Sequence, residues 1–80
     1  MRILDTKNDK ALKNICIYLT KVEAQELLDD ITAMLETDEK DYHVHVNDLQ
    51  YVHELTLAIY DEEDVSLFDE RSKKLIQIDE

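Results

Sequence analysis

Apolar and polar positions change period several times along the chain, and each change marks an element. Ile3 and Leu4 are a short apolar pair suited to an opening strand, and Thr6–Lys10, with Asn8-Asp9 inside it, reads as a turn. From Asn14 to Leu19 the pattern alternates. Ile15, Ile17 and Leu19 fall on one face and Cys16 and Tyr18 on the other, as in a half-buried strand. Thr20-Lys21-Val22-Glu23 then has the form of a capping box, in which the Thr hydroxyl and the Glu carboxylate satisfy orphan N–H groups at a helix start. Ala24, Leu27, Leu28, Ile31, Met34 and Leu35 follow at three- and four-residue spacing. This predicts a helix from Lys21 to Glu36 with one apolar stripe. Glu23, Glu26, Asp30 and Glu36 fall largely away from that stripe, with Asp29 alongside.

Thr37–Asp41 reads as a charged loop. Tyr42–Val46 alternates again, Tyr42, Val44 and Val46 opposing His43 and His45, and Asn47-Asp48 begins a loop that carries Leu49, Tyr51 and His53. Leu55, Leu57 and Ile59 alternate with Thr56, Ala58 and Tyr60 as a further strand, which Asp61-Glu62-Glu63-Asp64 breaks. Val65–Lys74 is expected to form a short helix or turn with Leu67 and Phe68 inward, and Ile76 and Ile78 suggest a last short strand. The expected order is β-β-α-β-β with a short α/β tail. That is an α+β fold, a two-layer sandwich of one long amphipathic helix on a mainly antiparallel three- to five-stranded sheet. With no repeat, linker or low-complexity stretch, residues 1–80 are expected to be a single domain.

Composition narrows the chemistry. The chain has neither glycine nor proline. Its turns must therefore be made by Asn, Asp, Lys and Thr, and a glycine-rich phosphate loop, a nucleophile elbow and an EF-hand loop are all excluded. A chain of 80 residues buries only about 60% of its unfolded surface, so a site is expected in a surface groove or at a subunit interface. The 44% hydrophobic content argues against full disorder. Cys16 is the single cysteine, which rules out an intrachain disulfide. Met1-Arg2-Ile3-Leu4 runs directly into Asp5 and Lys7 and does not read as a secretory signal, and the expected location is cytoplasmic.

The formal net charge is −11, unevenly spread. Residues 22–70 hold 16 Asp or Glu against Lys40 alone, whereas residues 1–21 hold five basic residues against Asp5 and Asp9. Such a surface disfavours nucleic acid and anionic membranes, and leaves a basic protein partner, a divalent cation or plain solubility. Glu23, Glu26 and Asp30 on the helix are the acidic interface candidates. If the helix covers the face of Ile15, Ile17, Val44, Val46, Leu57 and Ile59, the other face shows Cys16, Tyr18, His43, His45, Thr56, Ala58 and Tyr60. Tyr18, His43, His45 and Tyr60 there suit an interface, being apolar bodies with polar tips.

His43-Val44-His45 places two imidazoles on one strand face, about 7 Å apart by strand rise. Such a pair holds a metal when a third ligand joins it, and His53 is the candidate, followed by Asp48 or Glu54. Surface histidines are the commoner meaning of that pattern. Cys16 beside His43 or His45 is a possible nucleophile pair, with no motif or oxyanion site around it. Asp61–Asp64 has carboxylates for a hard cation but no spacing that wraps one.

The segments LTKVEAQELLDDITAML, HVHVND, ELTLAIYDEED and LFDERSKKLI together look similar to small uncharacterised acidic bacterial proteins of about this size. In size, charge and layout the chain also resembles small acidic immunity-type or mobile-element proteins. Neither resemblance implies a catalytic residue. The expected function is a non-enzymatic acidic protein-interaction module, inhibitor- or immunity-like, binding a basic partner and working as a homo-oligomer or in a complex, with no cofactor. The alternatives are a metal-binding protein or metal-dependent enzyme using His43, His45 and His53, and a structural homodimer packed sheet to sheet through Tyr18 and Tyr60.

Overall fold

The structure, a computed structural model, describes residues 1–39 and 42–80. Its elements are β1 (Ile3–Asp5), β2 (Lys10–Leu12), α1 (Lys21–Glu36), β3 (His43–Asn47), β4 (Glu54–Ala58) and α2 (Glu70–Ile78), an α+β fold. Among the described residues the strands form two separate two-stranded antiparallel sheets, β1-β2 and β3-β4, where a three- to five-stranded sheet was expected. The chain divides into two compact units, one from Met1–Ile17 with Asp61–Glu80 and the other Tyr18–Tyr60.

In the Tyr18–Tyr60 unit, α1 has the bounds that its stripe and cap predict. The Thr20 hydroxyl accepts from the Glu23 N–H at 3.2 Å, and the Glu23 carboxylate accepts from the Thr20 N–H at 2.9 Å. The capping box is complete, and the extended backbone of Thr37 ends the helix. β3 and β4 pair as a hairpin in the register His43↔Ala58, Val44↔Leu57, His45↔Thr56, Val46↔Leu55 and Asn47↔Glu54. Alternation therefore puts Val44, Val46, Leu55 and Leu57 on one face and His43, His45, Thr56 and Ala58 on the other, as the sequence pattern requires. α1 packs against β3, and Met34 and Val44, 8% and 9% exposed, are the buried residues of this unit.

The face that α1 buries is turned from the expected one. Met34 is buried and Glu23, Leu27 and Asp30 are half-buried, a single row at i, i+4, i+7 and i+11. Ala24, Leu28, Ile31 and Leu35 are exposed. Two strands about 4.8 Å apart are narrower than a helix about 10 Å across, so the hairpin covers one row of α1 and leaves the other half of its apolar stripe open. Glu23 and Asp30, expected to point away, instead flank the contact.

Three expectations outside α1 and the β3-β4 hairpin are corrected. Asn14–Leu19 is not a strand, and Ile15, Ile17 and Leu19 are exposed. The second strand lies earlier, at Lys10–Leu12, paired Ile3↔Leu12, Leu4↔Ala11 and Asp5↔Lys10. The Thr6–Asp9 turn dictates this, because the shortest loop closes at the least entropy. The Asp5 carboxylate accepts from the Lys7 and Asn8 N–H groups and from the Asn8 side chain, and Asp9 turns the chain with φ 55°. Ile76 and Ile78 lie in a helix and not in a strand. The Asp69 carboxylate caps that helix at the Ser72 N–H, 2.8 Å, and Leu75 and Ile76 are its buried residues while Ile78 is exposed. Phe68 is half-buried as expected, but Leu67 is exposed.

Polar contacts hold the unit of Met1–Ile17 and Asp61–Glu80 across the length of the chain. Arg2 Nε donates to the Leu75 and Ile76 carbonyls at 3.0 and 3.2 Å, satisfying acceptors at the C-terminal end of α2. Asp79, in the left-handed conformation with φ 55°, returns its N–H to the Leu75 carbonyl and pairs its carboxylate with Lys13. Arg71 Nε meets Asp9 at 2.5 Å.

Candidate interaction surface

The outward face of the β3-β4 hairpin carries the histidines. His45 Nδ1 lies 2.5 Å from Glu54 Oε1, its diagonal neighbour across the strands, and 3.0 Å from Thr56 Oγ1, its direct partner. The His43 and His45 rings meet edge to face, with centroids 5.1 Å apart. His53 belongs to the far end of the hairpin, where its Nδ1 lies 2.6 Å from Asp48 Oδ2. His53 stands opposite Asp48, five residues along from His43, which is about 17 Å at the rise of an extended strand. The expected trio is therefore two histidines together and one apart, and no three His, Cys, Asp or Glu side chains among the described residues gather for a metal ion.

Asp48 organises the loop between the strands. Its Oδ1 accepts from the Val52 and His53 N–H groups at 2.9 and 3.3 Å, and the chain closes with Asp48 N–H to His53 O and Tyr51 N–H to Asp48 O. The His53 hydrogen bond, followed by those backbone donors, holds the Asp48 carboxyl below its ordinary value against the opposing effect of desolvation. A depressed carboxyl stabilises the fold above its unfolded value, and that contribution is lost as pH falls through the folded value. Acidification below the ordinary carboxylate range is thus expected to loosen residues 48–53 before α1. Amide exchange of Val52 and His53 checks this, and Asp48→Asn should remove that acid-dependent step.

The other candidates disperse. Tyr18 is 92% exposed and outside any strand, and Tyr60 is half-buried beyond the end of β4. Neither shares the hairpin face with His43 and His45 as expected. Cys16 is exposed and likewise outside any strand, so the Cys–His face is not formed. Asp61 and Asp64 close a turn on themselves, with Asp61 Oδ1 accepting from the Glu63 N–H and Asp64 Oδ1 from Ser66. The chain matches no family model, no curated protein and no solved structure. Among the described residues no helix is long and apolar enough to cross a membrane.

Two features escaped the sequence pattern. Leu28 and Leu35, 56% and 72% exposed, continue with Ile31 as an open row along α1. Asp29 and Glu36 lie on the solvent side of that row by helical spacing, and the helix carries five carboxylates against Lys21 alone. The stripe was legible, but which half of it is covered depends on the width of the sheet. The second feature is the loop tip, where Leu49, Tyr51 and Val52 are exposed and Tyr51 holds φ 56°. A bulky residue in the left-handed region has no sequence signature beyond the absence of glycine.

Proposed function

We propose that this chain is a non-enzymatic acidic interaction module that binds a basic protein partner through the outward side of α1. The open row Leu28, Ile31 and Leu35, on a helix that also exposes Glu26, Asp29 and Glu36, carries this reading. An apolar row on a helix of one dominant sign of charge supplies both halves of a specific contact. The apolar row gives affinity through desolvation, and the carboxylates give encounter rate and orientation. Glu26, exposed further round the helix, extends the same field, while Glu23 and Asp30 border the contact with β3.

Affinity chromatography of the host extract on the immobilised chain tests the reading. A basic protein is expected to be retained at low salt and released as salt rises, because screening removes the steering charge. The double variant Leu28→Asp, Leu35→Asp is expected to lose that protein while keeping the helical circular dichroism of the wild type, since both positions are exposed. Retention that ignores salt and the double variant alike would sink the proposal.

A further inference from the structure

We infer that the free edge of β4 is a self-pairing edge, at which two copies of this chain join antiparallel about Thr56 into a four-stranded sheet ordered β3-β4-β4-β3. Backbone direction gives the first support. The Asp48 N–H donates to the His53 carbonyl at 3.2 Å, one step beyond the Asn47↔Glu54 pair. Hydrogen-bonded and non-bonded pairs alternate along an antiparallel ladder. The inward-directed pairs are then Val46↔Leu55 and Val44↔Leu57, and the N–H and C=O groups of Glu54, Thr56 and Ala58 point outward from β4. Among the described residues no strand pairs with that edge.

The side chains supply the second support. Edges kept single are blunted by lysine, proline, a bulge or an inward charge, and Glu54-Leu55-Thr56-Leu57-Ala58 has none of these along its length, with one charge at its end. Read in both directions from Thr56, the strand complements itself. Thr56 faces Thr56 of a second copy, Leu55 faces Leu57, and Glu54 faces Ala58, so that every outward-directed residue meets another and no like charges stand opposed. Centring the pair on Glu54 instead sets Glu54 against Glu54. Centring it on Ala58 sets Glu54 against Glu62 and leaves part of β4 unmatched. The outer edge of β3 is a poorer template, because the equivalent pairing sets His45 against His45. Leu55 and Leu57 meet on the side that α1 covers, so joining also extends the apolar face beyond what a two-stranded hairpin can bury alone.

Two copies each of charge −11 repel at long range, so this association should strengthen with added salt. The basic-partner contact behaves in the opposite way, and the two ideas fail separately. The experiment is sedimentation of the full chain over a wide concentration range at low and high salt, with Thr56→Lys beside it. The wild type is expected to dimerise, more so at high salt, and Thr56→Lys to remain monomeric with unchanged helical signal. A second arm works even if that variant folds poorly. Cα atoms of a hydrogen-bonded antiparallel pair lie about 5.5 Å apart, within disulfide reach. In a Cys16→Ser background with oxidised glutathione as oxidant, Thr56→Cys should form covalent dimers well ahead of Leu49→Cys in the exposed loop. A wild type that stays monomeric at high salt, or cross-linking no faster at position 56 than at 49, overturns the inference.

Discussion

Leu75→Ala is expected to melt α2 and destabilise its unit by about 2–5 kcal/mol, the range for truncating a buried leucine. The helix spans 9 residues, fewer than the about 12–15 at which an isolated helix becomes even marginal in water. Its existence therefore rests on the burial of Leu75 and Ile76, 8% and 9% exposed, and on its two capped ends. Removing the Leu75 isopropyl group takes away much of that anchor, while the Asp69 cap and the Arg2 contacts contribute only with the helix in place. A loss of helical circular dichroism is expected, together with collapse of amide protection from Ser72 to Asp79. Retention of that protection in Leu75→Ala would show that the caps, not the apolar contact, hold α2.

Met34→Ala should have an effect of similar size in the other unit, for a different reason. Alanine is the better helix former, so α1 itself is not weakened and the measured loss is packing. Met34 and Val44 are the buried residues among those described in Tyr18–Tyr60. Deleting a buried methionine side chain costs about 2–5 kcal/mol, against about 4–12 kcal/mol in total for a chain of this length. The urea midpoint read by circular dichroism should fall steeply, and Leu35→Ala, at an exposed position of the same helix, should barely move it. Equal shifts for the two variants would mean that Met34 does not anchor α1.

α1 and the β3-β4 hairpin were legible because local signals agree there. The Thr20–Glu23 box, the stripe from Ala24 to Leu35 and the alternation at 43–47 and 54–58 each stand on residues a few positions apart. Ile15, Ile17 and Leu19 show where such reasoning fails. Alternation states what a strand requires, but a strand exists only where a partner edge is offered, and the Thr6–Asp9 turn offered Lys10–Leu12 first. Ile76 and Ile78 failed in another way. Two isoleucines two apart fit a strand, and the decisive signal was the Asp69–Ser72 cap with Leu75 and Ile76 adjacent, a pairing that buries both only on a helix. For the surface, the His43/His45 face was readable from parity. Tyr18 and Tyr60 were assigned to it by extending strands past their ends, and the open row on α1 depends on a sheet width that no local pattern encodes.

The unit holding β1, β2 and α2 is built from the two ends of the sequence described, with Tyr18–Tyr60 lying between its halves along the chain. That arrangement sets an order during synthesis. Residues 18–60 have all of their own partners once the ribosome has passed β4, and at about 5–20 residues per second they have seconds in which to settle. The β1-β2 hairpin emerges earliest but is only three residues per strand, and Arg2 must wait for the carbonyls of Leu75 and Ile76, more than seventy positions later. Of these elements β1 is thus made first and secured last. A stall in translation before Asp69 would leave it unsecured while residues 18–60 are already folded.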